Sequence, residues 1–400
     1  MTGNTMNSPS VNSWAKEKLF LGLPIKEYIK KSVTPFNISA GIIILIGLYL
    51  IVLRFYQGLG AVTGASQDQP WGLFLSWGLF AGVPLSASGF VLSTVVYIFR
   101  LKEYHPVVKN AILIGFLGYL FAVIFLLIDL GRPWRLPNPM IGSFGTASVL
   151  FLIAWHVALY LTCQFLEFST TISEWGGWQT LRKWGLKMTV GLTILGVILS
   201  TLHQSALGAL YLLAPGKLHP LWYSPYLPIL FFASAIAAGL CMVIFVSQLT
   251  QYFFKDQSDN VYKANLNRIT INLGKAVSFV LITYFALKLI ALAHGSNWNL
   301  LGTSYGYWYL TEITLFVLLP CCLFILGARR NNASLIRFTA IITIIGIIIN
   351  RLNVSLITLN WQLPHRELFD WREFLIVISV ITIQIVVYRW IVNRMPVLRG

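Results

Sequence analysis

Apolar runs of about twenty residues recur from about residue 38 to the C-terminus, and the Lys and Arg residues sit almost wholly in alternate gaps between them. A hydrocarbon core of ~30 Å is crossed by ~20 apolar residues in a helix. Lipid offers the backbone no hydrogen-bond partners, so such runs must be helices rather than open strands. With 57% hydrophobic and 10% charged residues, the chain lies outside the range of soluble domains. The expected fold is an all-α integral membrane protein of about ten transmembrane helices.

The expected spans cover 38–55, 73–99, 108–129, 146–166, 186–212, 227–250, 271–294, 307–327, 335–359 and 372–393, with ends soft by a few residues. Pro and Gly punctuate the gaps, as in Gln69-Pro70-Trp71-Gly72 and Gly131-Arg132-Pro133. The stretches 73–212 and 227–359 each give four helices with short links. Two four-helix bundles with one flanking helix at each end are therefore expected. The divisions are a polar segment over 1–37, a first membrane unit over 38–226 and a second over 227–400.

An even number of spans puts both termini on one side. That side holds 21 of the 29 basic residues, the opposite side holds 7, and Lys288 lies inside a span. The positive-inside rule makes the terminal side cytoplasmic. In a bacterial inner (cytoplasmic) membrane the opposite loops face the periplasm. The net charge of +16 follows from this topology and from attraction to anionic lipid. It calls for no nucleic acid. The polar N-terminal segment lacks a signal-peptide apolar core. Its stretch Ala15 to Leu23 has the amphipathic character of a helix lying on the leaflet. Cys163, Cys241, Cys321 and Cys322 fall in apolar spans without CxxC or Cys/His spacing, so neither an iron–sulfur cluster nor a metal site is expected.

Ionisable groups in hydrocarbon cost ~2.5–3.5 kcal/mol on insertion scales, so each asks for a reason. In the first unit these are Tyr119, Asp129, His156 and His203, the last followed by Gln204 and Ser205. Asp129 reads as a helix-end carboxylate paired with Arg132 or Arg135, as a functional acid, or both. His156 and His203 read as satisfied core histidines, as proton carriers, or as an axial haem pair. Tyr119 reads as packing or as a donor. Trp71, Trp134 and Trp222 suit an interfacial belt. In the second unit Lys288, Glu312 and Arg351 share a depth, which suits a Lys288–Glu312 ion pair within a structural network, or a proton or ion path.

The segment His203-Gln204-Ser205-Ala206-Leu207-Gly208-Ala209-Leu210, with His219-Pro220-Leu221-Trp222 after it, resembles the membrane subunit of hydrogenase-2-type nickel–iron hydrogenases. Those subunits belong to the wider NrfD/polysulfide-reductase membrane-subunit family. Pro70-Trp71-Gly72, Tyr104-His105-Pro106, Asp129-Leu130-Gly131-Arg132 and Ser148-Val149-Leu150-Phe151 fit the same pattern in the same order, across most of residues 38–260. The last four spans match by hydropathy more than by motif.

The resemblance implies a quinone-reactive anchor of a respiratory complex. Its substrate would be menaquinone or ubiquinone, and the chain itself would hold no haem, iron–sulfur cluster or metal. Electrons would pass through a periplasmic ferredoxin-like iron–sulfur subunit. Behind it would stand a catalytic hydrogenase, a multihaem cytochrome or a molybdenum subunit. Quinone would bind in the first bundle near the outer face, at His203, Tyr119 and Asp129 with Trp71 and Arg132. Asp129, His156, Lys288, Glu312 and Arg351 are the candidates for a proton path. Some hydrogenase-linked members carry glutamates where this chain has Leu152 and Val246. His156 lies one turn from the first position and nothing obvious replaces the second, so an inner-face proton path does not carry over directly. A secondary transporter and a purely structural anchor are the rival functions.

The orientation is testable by labelling single cysteines in a background without the four native ones. A membrane-impermeant maleimide applied from outside should modify Gly216→Cys and spare Asn331→Cys, and the reverse pattern would invert the topology.

Overall fold

A computed structural model describes residues 11–66, 68–364, 366 and 368–398. Two short helices, α1 (Val11–Leu19) and α2 (Ile25–Ser32), precede ten helical spans long and apolar enough to cross a membrane. These are α3 (Pro35–Gln57), α4 (Leu73–Ile98), α5 (Lys102–Asp129), α6 (Val149–Gly176), α7 (Gln179–Leu213), α8 (Leu227–Phe253), α9 (Asn260–His294), α10 (Ser304–Arg329), α11 (Ala333–Ile357) and α12 (Trp371–Val392). The span count and order match the sequence expectation. The amphipathic stretch is split: it ends α1, and a turn at Leu21 and Gly22 leads to α2, whose Ile25 and Ile29 are exposed beside Lys26, Lys30 and Lys31. A helix with exposed apolar and basic groups suits the headgroup layer.

Polar residues set the helix starts. The side chains of Thr34, Ser148, Thr303, Asn332 and Asp370 each accept a hydrogen bond from a backbone N–H of the first turn that follows. Wide π-helical turns interrupt α4, α10 and α11, and two of them precede a proline. In α4 a wide π-helical turn over Ser76–Ala81 precedes Pro84, and in α10 another over Thr314–Leu318 precedes Pro320. Proline lacks an N–H and clashes with the carbonyl four residues back, so the turn before it opens.

Helices α4 to α7 pack on one another as one four-helix group, and α8 to α11 as a second. Helix α8 joins them, lying against α7 and α4 as well as α9 and α11. The α4–α8 contact depends on Gly239, where a Cβ would stand 2.7 Å from the Ala87 carbonyl carbon. The flanking helices α3 and α12 pair with each other, and α12 also rests on α5. At the terminal face, Arg394 donates to the Leu19 carbonyl and the Tyr28 hydroxyl, so α1 and α2 meet the segment after α12.

A second tie joins the groups at the opposite face. The loop before α8 pairs Leu218 with Leu359, and His219 N–H donates to the Thr358 carbonyl at 3.1 Å. The His219 ring is 3% exposed, packed against Tyr305, Trp222 and Trp361, and its Nδ1 accepts from Leu221 N–H. Burial lowers its pKa from 6.5 to about 4. The folded state thus prefers the neutral ring. The stability that this contributes is fully present above 6.5 and is lost as the pH falls through about 4. On acidification across that window the thermal midpoint of the native protein should fall more than that of His219→Gln, measured by unfolding in detergent; equal falls would rule out this histidine as the cause.

Candidate functional site

His203 is fully buried in α7, and both of its ring nitrogens are engaged. Nδ1 lies 2.7 Å from the Leu199 carbonyl, which can only accept, so Nδ1 carries the hydrogen. Nε2, 2.5 Å from the Tyr119 hydroxyl, is then the acceptor and Tyr119 the donor. The Gln204 amide donates to the Tyr119 oxygen at 3.1 Å and to the Val83 carbonyl of α4 at 3.3 Å. The neutral histidine and the tyrosine therefore form one hydrogen-bonded unit across α4, α5 and α7. A proton can shift within it by exchange of donor and acceptor roles.

This unit continues toward the terminal face. The Tyr160 ring packs edge-on against Tyr119, with centroids 4.5 Å apart. The Gln164 amide donates to the Tyr160 hydroxyl at 3.0 Å and lies 3.4 Å from Glu167 Oε2. Thr193 of α7 donates to the other Glu167 oxygen at 3.0 Å. Tyr160, Gln164 and Glu167 recur at helical spacing, so α6 presents them on one face. Sequence reasoning missed them, although that spacing within an apolar span was the signal. His156 lies on the same helix, half-buried, with Nδ1 unpartnered.

Toward the face opposite the termini stands an aromatic wall. Trp71 packs against Phe80 and Tyr211, and Tyr211 against Phe80 and Phe231, with centroids 5.4 to 5.8 Å apart. The Tyr211 hydroxyl is buried without a hydrogen-bond partner. It lies eight residues, about 12 Å along α7, from His203. Tyr211 was not singled out from sequence, where one tyrosine at a span end looks interfacial.

Asp129 occupies different surroundings. It stands ten residues, about 15 Å, beyond Tyr119 on α5. Among the described residues no ion pair joins it to Arg132 or Arg135, contrary to the pairing drawn from sequence. Arg132 is exposed, while Arg54 of α3 is buried and donates to the Ile128 and Leu130 carbonyls. The charge of Arg54 acts on Asp129. The reason is local: those two carbonyls at the end of α5 have lost their helical partners and hold the guanidinium that a short loop arginine would otherwise supply. Close by, Glu373 of α12 is 3% exposed and accepts from Phe74 N–H at 3.0 Å and Thr63 Oγ1 at 3.2 Å. Its charge and that of Asp129 interact. Glu373 caps α4 from a distant helix, a role invisible from sequence.

The second group holds its own network. Glu312 accepts from Trp222 Nε1 at 2.7 Å, Asn350 Nδ2 at 2.6 Å and Asn353 Nδ2 at 2.5 Å. Arg351 donates to the Phe231 carbonyl and to Ser234 Oγ, with its guanidinium 3.6 Å over the Phe231 ring. Arg351 thus reaches the aromatic wall from behind. Lys288 does not pair with Glu312, whose oxygens are already taken; its Nζ lies over the Tyr284 and Tyr309 rings at 5.8 and 5.4 Å. The expected ion pair gives way to a carboxylate held by neutral donors and an ammonium held by aromatic faces.

This arrangement separates the two residues energetically. Glu312→Ala strands three buried donors and should destabilise the protein by about 1–3 kcal/mol or more. Lys288→Met removes a charge with no ion pair to break and should cost less, or stabilise. Thermal unfolding of both variants in detergent decides it: equal losses would mean that the two are coupled as a pair.

Comparison with known proteins gives concordant results. A family described as polysulphide reductase, NrfD matches residues 61–360. A protein of Nitratidesulfovibrio vulgaris is 46% identical over 371 residues, 92% of this chain and 96% of its own. The probable Ni/Fe-hydrogenase 2 b-type cytochrome subunit of Escherichia coli is 30% identical over 362 residues, 90% of this chain and 91% of that one. The integral membrane subunit of menaquinone reductase from N. vulgaris is 26% identical, covering 82% of this chain and 81% of its own. On a family match across most of its length and a 30% identical relative that it covers almost whole, this chain belongs to the NrfD family of multi-pass membrane proteins.

Proposed function

We propose that this protein is the quinone-reactive membrane subunit of a respiratory oxidoreductase in a bacterial inner membrane, with both termini in the cytoplasm. The observation that carries the reading is the run of buried polar groups from the Tyr211 hydroxyl to His203, Tyr119 and Gln204, beside an aromatic wall in the half opposite the termini. A quinone ring needs flat apolar contact and donors for its two oxygens. Trp71, Phe80 and Phe231 supply the contact. The Tyr211 hydroxyl, which has no partner of its own, is the first donor, and the His203–Tyr119 pair is the second, directly or through a water.

Reduction of a quinone to a quinol takes two electrons and two protons. The electrons would come from a periplasmic ferredoxin-like iron–sulfur subunit seated near Trp71 and Arg132, itself fed by a hydrogenase, a multihaem cytochrome or a molybdenum subunit. The names of the E. coli and N. vulgaris relatives support membership of such a complex. The protons have two candidate routes. Asp129 and Glu373 lie near the outer face, and Glu167, Gln164 and Tyr160 lead to Tyr119 from the terminal side. The second route, with His156 beside it, would permit charge movement across the membrane during turnover. Lys288, Glu312 and Arg351 form a further polar string behind Phe231. We assign no haem to the chain. Axial ligation through His203 Nε2 would break its hydrogen bond with the Tyr119 hydroxyl, the contact that joins the two side chains.

Quinone turnover by the intact complex tests this. His203→Ala and Tyr211→Phe should each lower it by about 10²-fold or more, the scale of a lost general acid–base group or positioned donor. Both variants should still pass electrons from the soluble subunits to an artificial acceptor. Glu167→Gln should slow turnover less at saturating quinone. Normal quinone turnover in His203→Ala would make that histidine structural, and the site would fall.

A further inference from the structure

A cavity of about 590 Å³ lies between the two helix groups and under the flanking pair, on the far side of α4 from His203. Its volume is in the range of sites that take organic ligands, about 300–1,000 Å³. The walls are almost wholly apolar, from Trp77 and Phe125 at one end, past Val246 and Ile348, to Phe36 at the other. On α8 it extends from Met242 to Phe254, twelve residues or about 18 Å of rise. That is slightly more than half of a ~30 Å hydrocarbon core, the depth of a single leaflet.

The polar groups of the lining are distributed unevenly. Ser86, Thr250 and Tyr388 already have partners: the Gly82 carbonyl, the Ser247 carbonyl with Tyr262, and Asn110. Gln384 and Arg389 differ. Among the described residues the Gln384 amide makes no hydrogen bond, and no carboxylate pairs with Arg389. Arg389 has only a long contact to Asn37 at 3.4 Å and the Phe36 ring 4.0 Å beneath it. It sits at the terminal-side rim. Gln384 lies five residues deeper on the same helix, about 7.5 Å. From the rim inward the cavity therefore offers a cation, then an amide donor, then hydrocarbon.

We propose that this cavity holds an acyl chain of an anionic phospholipid from the terminal-side leaflet, with its phosphate on Arg389 and an ester carbonyl on the Gln384 amide. The order of charge, ester and hydrocarbon along such a lipid matches the order of groups along α12. A quinone has no anion for the arginine, and its proposed site lies across α4. The lipid would fill space left between the two groups beside their direct contacts, and so would act as part of the interface. This inference stands apart from the quinone assignment and survives its failure.

Native mass spectrometry of the full-length chain, purified in mild detergent and stripped of lipid, tests it. Phosphatidylglycerol and phosphatidylcholine of matched chains are added back in turn. One phosphatidylglycerol should be retained, about fivefold in preference to phosphatidylcholine, as expected for one basic side chain. Arg389→Gln should erase the preference and Arg389→Lys should keep most of it, which guards against a folding defect in the first. Val246→Phe, which fills the cavity, should weaken retention of both lipids. Inorganic phosphate should not displace the lipid. Equal retention of the two lipids by the native protein would overturn the proposal. So would an unchanged preference in Arg389→Gln, displacement by phosphate alone, or a co-purifying quinone that Val246→Phe expels.

Discussion

In hydrocarbon a polar group finds its partner inside the protein or not at all, and most of this structure follows from that constraint. It makes the backbone helical. It also decides how the helices sit, because each buried polar side chain must reach a donor or acceptor on a neighbour. Glu373 holds the start of α4 from the last helix. Arg54 holds the end of α5 from the first. Glu312 collects donors from the loop before α8 and from α11. None of these contacts is a simple ion pair. Each satisfies a buried charge with backbone groups or neutral side chains, which avoids the cost of desolvating a second charge.

The same constraint gives meaning to the groups left without a partner. A buried Tyr211 hydroxyl costs stability unless something completes it, and it stands among aromatic faces at the end of α7 opposite the termini. The satisfied His203–Tyr119–Gln204 unit lies deeper. Placed in series, an open donor and a closed hydrogen-bonded relay are what proton-coupled quinone chemistry would use. In the proposed reading the open donor would meet the ligand and the relay would carry the proton.

The two helix groups are unequal in this respect. The first holds a chain of hydroxyl, amide and carboxyl groups from Glu167 to His203. In the second, charges are pinned in place: Lys288 over two tyrosine rings, Arg351 on Phe231 and Ser234. Exchangeable donors suit transfer, while pinned cations suit a fixed electrostatic field behind the aromatic wall.

Hydropathy, a local property, determined the fold class and the ten spans, and the few polar residues within so apolar a chain could be picked out from it as well. The motifs around His203 and Asp129 were enough for the family. The tertiary structure decided which polar residues meet. Asp129 came to lie in the field of Arg54 rather than paired with its neighbours in sequence, Lys288 went to tyrosine rings rather than to Glu312, and Tyr211 was left open. Partnership depends on helix rotation and relative depth, which small residues such as Gly239 and the proline-induced wide turns set at a distance. Those are properties of packed pairs of helices, and a single span carries no record of them.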